Sequence, residues 1–290
     1  MNARGSNDAR INSTDAMDEW RFLNTGFSDG VSNMVIDEVL ATKIVPETNV
    51  PVLRLYGWKP YAISLGYHQS AKEFKLEKCA QDNIDLVRRP TGGRAVFHAE
   101  EVTYSVIIPR GHCFFSEDIF TTYNRISEGL LQGLHQFGVN AELVHREEDE
   151  AKNGAYKKSV PCFSTSARYE IAFDGKKLVG SAQRRYENSI LQHGSILTGE
   201  YHLNLAKYVK LRDGITEEDF RQQLADKTIT VSQILAKPVN WEALAAALRM
   251  GFQQKFNIQF IDNPLTSQEI AEVKQRRVTY PNIGGNHHET

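Results

Sequence analysis

Cysteine is scarce in this chain: three residues in 290, Cys79, Cys113 and Cys162, odd in number and never in a C-x-x-C spacing. That usage excludes a disulfide framework and a zinc knuckle, and a cytoplasmic, reducing compartment fits it best. Long apolar runs are also missing. No stretch approaches the ~20 residues that cross a bilayer, so no membrane partner is expected. Nor does charge of one sign dominate: 34 Lys and Arg stand against 36 Asp and Glu, a formal net charge of −2. Generic nucleic-acid binders owe their affinity to neutralised phosphates, so nucleic acid is not an expected partner either. The pair His287-His288 has too few ligand neighbours to suggest a metal. The polar start, Met1 to Asp18, has neither a signal-peptide core nor an acid-free basic helix, and is expected to be a disordered tail over 1–18.

What is present reads as one large domain with an appendage. Structure is expected from Trp20, followed by a helix from a Ser32 cap to Leu40 with Met34, Val35, Ile36 and Val39 at helical spacing. Val52 to Tyr56 and Ala62 to Gly66 flank Gly57-Trp58-Lys59-Pro60 as strand, turn and strand, and Ile84 to Val87 forms another strand. Ala95 to His98 and Val102 to Ile108 are expected to pair as a hairpin. Ile119 to Phe137 is an amphipathic helix closed by Gly138, and Val139 to Val144 resumes a strand. A charged surface loop is expected around Arg146 to Gly154. Beyond it, Tyr169 to Phe173, Lys177 to Gln183 and Ile190 to Leu197 alternate as three strands, with turns at Asp174-Gly175 and Glu187-Asn188. From Thr216 the texture turns helical: Glu217-Glu218-Asp219 suit a helix N-terminus, and Trp241 to Phe256 carries a broad apolar face. These features place a main domain at 19–215 and a small helical C-terminal extension at 216–290.

Three constellations could carry chemistry. The run Arg88-Arg89-Pro90-Thr91-Gly92-Gly93-Arg94-Ala95-Val96-Phe97-His98 combines cations with a glycine pair whose backbone N–H groups could face an acyl carbonyl or a phosphate. An ordinary charged β-turn has the same composition. Cys162 sits in the small, polar stretch Ser159 to Ser166, an odd setting for a core cysteine, whereas Cys79 and Cys113 read as buried small hydrophobes. A hairpin at Asp174-Gly175 would return Lys177 toward Cys162, and a nearby cation favours the thiolate. Lysines at turns are more often solvated. Gly180-Ser181-Ala182-Gln183 and Gln192-His193-Gly194-Ser195 lie on adjacent expected strands and could line one cavity, or could pack beneath a helix. His98 and His193 read first as hydrogen-bonded, half-buried histidines, and second as bases.

Taken together, Trp20-Arg21-Phe22, Asn33-Met34 with Asp37-Glu38, Leu55 to Trp58, Ser64 to Gln69, the Arg88 run, Glu101 to Ser105, Lys177 to Gln183 and Gln192 to Ser195 resemble the lipoate–protein ligase A family. Within that family the chain is similar to the cysteine-dependent octanoyltransferases. The resemblance implies an α+β (α/β-like) fold, with mixed β-sheets flanked by helices as in biotin/lipoate ligase catalytic domains. It also implies an acyl tunnel whose polar end holds Arg88, Gly92, Gly93 and Lys177. His98, Gly180, Ser181, His193 and Gly194 join these as substrate-binding positions, with Cys162 and Lys177 catalytic. ATP-using ligases of the family carry a third glycine and a final acid where this sequence has Arg94 and Ala99. The octanoyltransferases carry a cysteine where Cys162 stands. The implied reaction is ATP-independent and metal-free. It passes octanoyl from octanoyl-acyl carrier protein, whose phosphopantetheine carries the thioester, through Cys162 to a lysine of a lipoyl domain or glycine-cleavage H protein. An ATP-dependent lipoate ligase, an octanoyl amidotransferase between lipoyl domains and a non-catalytic acyl-protein binding module are the competing readings.

Overall fold

The strands β2 (Val52–Trp58) and β6 (Glu101–Pro109) are buried along their whole length because both faces of the sheet they share are covered. The computed structural model describes residues 17–145, 169–281 and 283. Cys162 and the charged stretch 146–159 lie outside the described residues, as do residues 1–16 and the His287-His288 pair.

In chain order the strands are β1 (Asp18–Ser28), β2, β3 (Ala62–Leu65), β4 (Asp85–Arg88), β5 (Val96–His98), β6, β7 (Glu142–His145), β8 (Tyr169–Phe173), β9 (Lys176–Arg185), β10 (Ser189–Leu197) and β11 (Ile258–Asp262). The helices are α1 (Gly30–Val39), α2 (Val45–Thr48), α3 (Leu76–Gln81), α4 (Ile119–Gln136), α5 (Glu217–Lys227), α6 (Val231–Leu235), α7 (Trp241–Phe256) and α8 (Ser267–Thr279). Eight strands form one mixed sheet in the order β11-β1-β2-β6-β10-β9-β8-β7, and a smaller sheet runs β4-β3-β5. One face of the large sheet packs Leu53, Leu55, Val102 and Val106 against Ile126 and Leu130 of α4 and Leu244, Leu248 and Phe252 of α7. The other face packs Val52, Tyr56, Ile107 and Leu191 against Met34, Val35 and Val39 of α1. The small sheet has its own core, in which Ile63, Leu65, Leu86 and Phe97 meet Leu205, Tyr208 and Phe220.

Several sequence expectations are corrected. Helix α1 is capped not by Ser32 but by Asp29, whose carboxylate accepts the Ser32 N–H at 3.0 Å. The segments 95–98 and 102–108 do not pair: β5 runs antiparallel to β3, whereas β6 lies between β2 and β10. The reason lies in the two residues between them. Glu100 offers its carbonyl to Thr198 and Gly199 at the end of β10, so the chain crosses from one sheet to the other instead of folding back. The strands on either side of Lys59-Pro60 likewise enter different sheets. Cys113 is exposed, unlike Cys79. The C-terminal segment is mostly helical, with Thr216 closing a capping box on α5, but it also supplies β11, which extends the large sheet in parallel beside β1.

Candidate functional site

Between the two sheets lies a cleft lined from both. From the large sheet come Tyr56, Trp58, Thr103, Gly180, Ser181, Ala182, His193, Gly194 and Ser195. From the small sheet and its loops come Ser64, Arg89, Val96 and His98, with Met34 of α1. The empty space in the cleft is about 360 Å³, part of it open solvent. In register, His193 pairs with Ala182 and Ser195 with Gly180, so these four share one side of the sheet.

A continuous polar network surrounds the cleft. Asp37 is fully buried and accepts from Arg54 at 2.7 Å and from the Tyr56 hydroxyl at 2.9 Å. Burial alone would raise its pKa, but the charge of Arg54 and the contact with His193 override it and hold Asp37 below the usual carboxylate range. His193 Nδ1 lies 3.0 Å from this carboxylate and must donate to it, which leaves Nε2 to accept the Thr91 hydroxyl at 2.7 Å. Burial lowers the His193 pKa, so the neutral imidazole is the resident form. A second chain has the same logic. Glu101 is also held below its ordinary range despite burial, chiefly by the adjoining His98. His98 Nδ1 meets its Oε1 at 2.7 Å, and His98 Nε2 meets Ser64 Oγ at 2.7 Å. Thr103 and Ser195 donate to the same carboxylate, and Trp58 stacks on the His98 ring at 4.0 Å.

Both chains end on Arg89. Its guanidinium donates to Thr91 Oγ1 and the Gly92 carbonyl through Nε, to the Ser64 carbonyl and hydroxyl through Nη1, and to the Gly92 and Arg94 carbonyls through Nη2. Arg88, by contrast, sends Nη1 to the carbonyls of Gly66, Tyr67 and Gln69, binds that loop in place, and does not line the cleft. Gly92 and Gly93 lie beside the cleft, exposed at the loop tip, and not among its lining residues. The Gly93 carbonyl presses on Gly66, where a Cβ would come within 1.9 Å of it, so the loop's path depends on the glycine at 66.

The other predicted positions fall on β9 and β10. Gly194 lies between Tyr104 and Ser181, and the Tyr104 hydroxyl donates to Ser181 Oγ at 2.7 Å. A Cβ at Gly194 would meet the Gly180 carbonyl at 2.5 Å and the Tyr104 ring at 2.7 Å. The β8–β9 hairpin at Asp174-Gly175 forms as expected, with a register shift that pairs Ala172 with Lys177 but Ile171 with Val179. This shift puts Lys177 on the same side of the sheet as Gly180 and Ala182. Lys177 is buried there, its Nζ 2.7 Å from Glu170 Oε1.

Arg89, Thr91, Asp37, Ser64, Glu101 and Glu170 were not anticipated as site residues. Adjacent residues of a strand point to opposite faces, so one of Arg88 and Arg89 had to turn inward, but nothing in the pattern says which. Elsewhere, among the described residues, Asp18, His112 and Cys113 form one cluster of metal-capable side chains. Asp18 meets His112 at Nε2 and Cys113 faces Nδ1, so the two neighbours address opposite nitrogens of one imidazole.

Two sheets enclose the cleft, with a basic glycine loop beside it and the buried Lys177 on a strand of the large sheet. The fold agrees with that of a bi-partite lipoate protein ligase from Thermoplasma acidophilum, with a TM-score of 0.73 at 20% identity over 94% of this chain and 99% of that one. The chain belongs to the lipoyl protein ligase A/B catalytic domain family, whose model matches residues 29–253. It is 34% identical over 267 residues to an octanoyltransferase LipM of Clostridioides difficile, covering 92% of this chain and 97% of that protein. It is 37% identical to the LipM of Symbiobacterium thermophilum, over 88% of this chain and 93% of that protein.

Proposed function

We propose that the protein is an octanoyltransferase of protein lipoylation, which takes octanoyl from acyl carrier protein and delivers it to a lysine of a lipoyl domain or glycine-cleavage H protein. The observation that carries this reading is the 34% identity with an octanoyltransferase over nine-tenths of the chain. A cleft that combines Met34, Tyr56, Trp58 and Val96 with hydroxyl and imidazole groups suits an apolar acyl chain ending in a carbonyl.

In the first step the Cys162 thiolate attacks the thioester carbonyl; the C–S bond to phosphopantetheine breaks, and the carrier leaves as a thiol after taking up a proton. In the second, the neutral ε-amine of the acceptor lysine attacks the Cys162 thioester. The amine loses its proton, an amide forms and the Cys162 thiolate is released. Thioester-to-amide exchange runs downhill, so no nucleotide or metal is called for. Lys177 supplies the positive charge that favours the thiolate and polarises the carbonyl, and Glu170 holds its ammonium in place. Backbone N–H groups of the Gly92-Gly93 loop stabilise the tetrahedral oxyanion, each donor contributing about 3 kcal/mol. Arg94, in the position of the third glycine of nucleotide-using relatives, crowds a nucleotide out of the loop.

The reading is tested by incubating the protein with octanoyl-acyl carrier protein and an apo lipoyl domain without nucleotide. Octanoylation of the domain lysine is the expected result. Transfer that occurs only from free octanoate with ATP would establish ligase activity instead, and transfer only from an octanoylated second lipoyl domain would establish an amidotransferase.

A further inference from the structure

We infer that Arg89 is a shared anchor on which two positioning relays converge, Asp37–His193–Thr91 and Glu101–His98–Ser64, and that together they set the conformation of the glycine loop. The inference rests on the proposed acyl transfer only for its kinetic consequence.

Each relay begins at a buried carboxylate, passes through an imidazole whose Nδ1 faces that carboxylate, and ends at a hydroxyl bonded to Nε2. Each hydroxyl oxygen then accepts from Arg89, Thr91 from Nε at 3.2 Å and Ser64 from Nη1 at 3.2 Å. A hydroxyl has one proton and two lone pairs, so a proton directed to the imidazole leaves the oxygen free to accept from the guanidinium. The relays therefore fix Arg89 from two sides. Its remaining N–H groups draw in the carbonyls of Gly92 and Arg94, each at 2.7 Å from Nη2. In a trans peptide the C=O and the following N–H point in opposite directions, so holding these carbonyls turns the N–H groups of Gly93 and Ala95 away from Arg89. Arg89 lines the cleft, yet all five of its N–H donors have protein acceptors, so its task is to shape the loop and not to grip a substrate anion.

A double-mutant cycle on the full-length protein tests this, read out by octanoyl transfer and by amide hydrogen exchange over residues 91–95. Thr91→Val removes the relay hydroxyl at nearly constant shape, Thr91→Ser retains it, and Arg89→Lys removes the guanidinium fork. Thr91→Val is expected to lower kcat/KM about five- to tenfold and to speed exchange in the loop, as loss of one or two buried hydrogen bonds would. Thr91→Ser should stay within about twofold of wild type. In the Arg89→Lys background Thr91→Val should add less than about twofold, because the group through which it acts is gone. Ser64→Ala should behave as Thr91→Val does. Equal effects of Thr91→Val in both backgrounds, on rate and on exchange, would overturn the inference. If wild type transfers no octanoyl, the functional reading fails, while a non-additive exchange cycle still upholds the shared anchor and an additive one rejects it.

Discussion

At the residue scale, the cleft depends on small side chains where strands crowd and on thiols that differ in environment. Gly194 leaves no room for a methyl group between the Gly180 carbonyl and the Tyr104 ring. Gly194→Ala is expected to lower stability by about 1–3 kcal/mol, as overpacking does, and to disturb the Tyr104–Ser181 hydrogen bond; urea unfolding measures the first effect. Burial and the neighbouring Asp82 push the Cys79 thiol up to about 11, whereas Cys113 is exposed. Alkylation of the native protein at pH 8, followed by peptide mapping, should therefore modify Cys113 and spare Cys79. Equal labelling of both would contradict the burial described for Cys79. Gly180, His193 and Gly194 are visible in the sequence because they sit in two alternating segments that form adjacent strands. The sequence did not reveal Arg89, because choosing between neighbouring arginines requires knowing which face of β4 is covered.

At the scale of elements, β11 and α8 are tied to the start of the large sheet through Arg21. Its guanidinium makes a paired contact with Glu269 at 2.6 and 2.8 Å and caps the Asn263 and Pro264 carbonyls, with both partners largely buried. Glu269→Ala leaves that guanidinium buried without its counter-ion and should destabilise the protein by about 3 kcal/mol, measurable by denaturant unfolding. A change below about 0.5 kcal/mol would show that the C-terminal segment is held by other contacts. Individual elements were legible because periodicity reports burial. Helix α4 and strands β8 to β10 stand within a few residues of where the pattern put them. Pairing was not legible in the same way: β5 joins β3 because Glu100 is anchored to the end of β10, a contact between segments about a hundred residues apart. Strand β11 was missed because its five residues between helices carry too short an alternation, Ile258 and Phe260 inward and Gln259 outward.

For the molecule as a whole, the buried histidines and carboxylates set the response to acid. Burial lowers the His202 pKa from 6.5 to about 4, and it also lowers that of His193. The unfolded chain therefore takes up protons at these sites before the folded one does. Their contribution to stability is complete above pH 6.5, shrinks as the pH falls below it, and for His202 levels off near 4. Asp37 and Glu101, held below their ordinary values, add a second loss as the pH falls through the carboxylate range. The melting temperature should decline steadily from pH 7 to 5, and His202→Gln should flatten that decline; an unchanged slope would contradict the assignment. The two-sheet fold was legible from the resemblance of dispersed motifs. The cleft's polar interior was not, since it joins residues from α1, β2, β3, β5, β6 and β10 that no local pattern connects. On the proposed mechanism the protein carries octanoyl from donor to acceptor as a thioester on Cys162. The most direct test is the intact mass of wild type and of Cys162→Ser after incubation with octanoyl-acyl carrier protein without ATP. A hydroxylamine-labile octanoyl adduct on wild type and none on the variant is the predicted result; an unmodified wild type, or an equal adduct on both proteins, would contradict it.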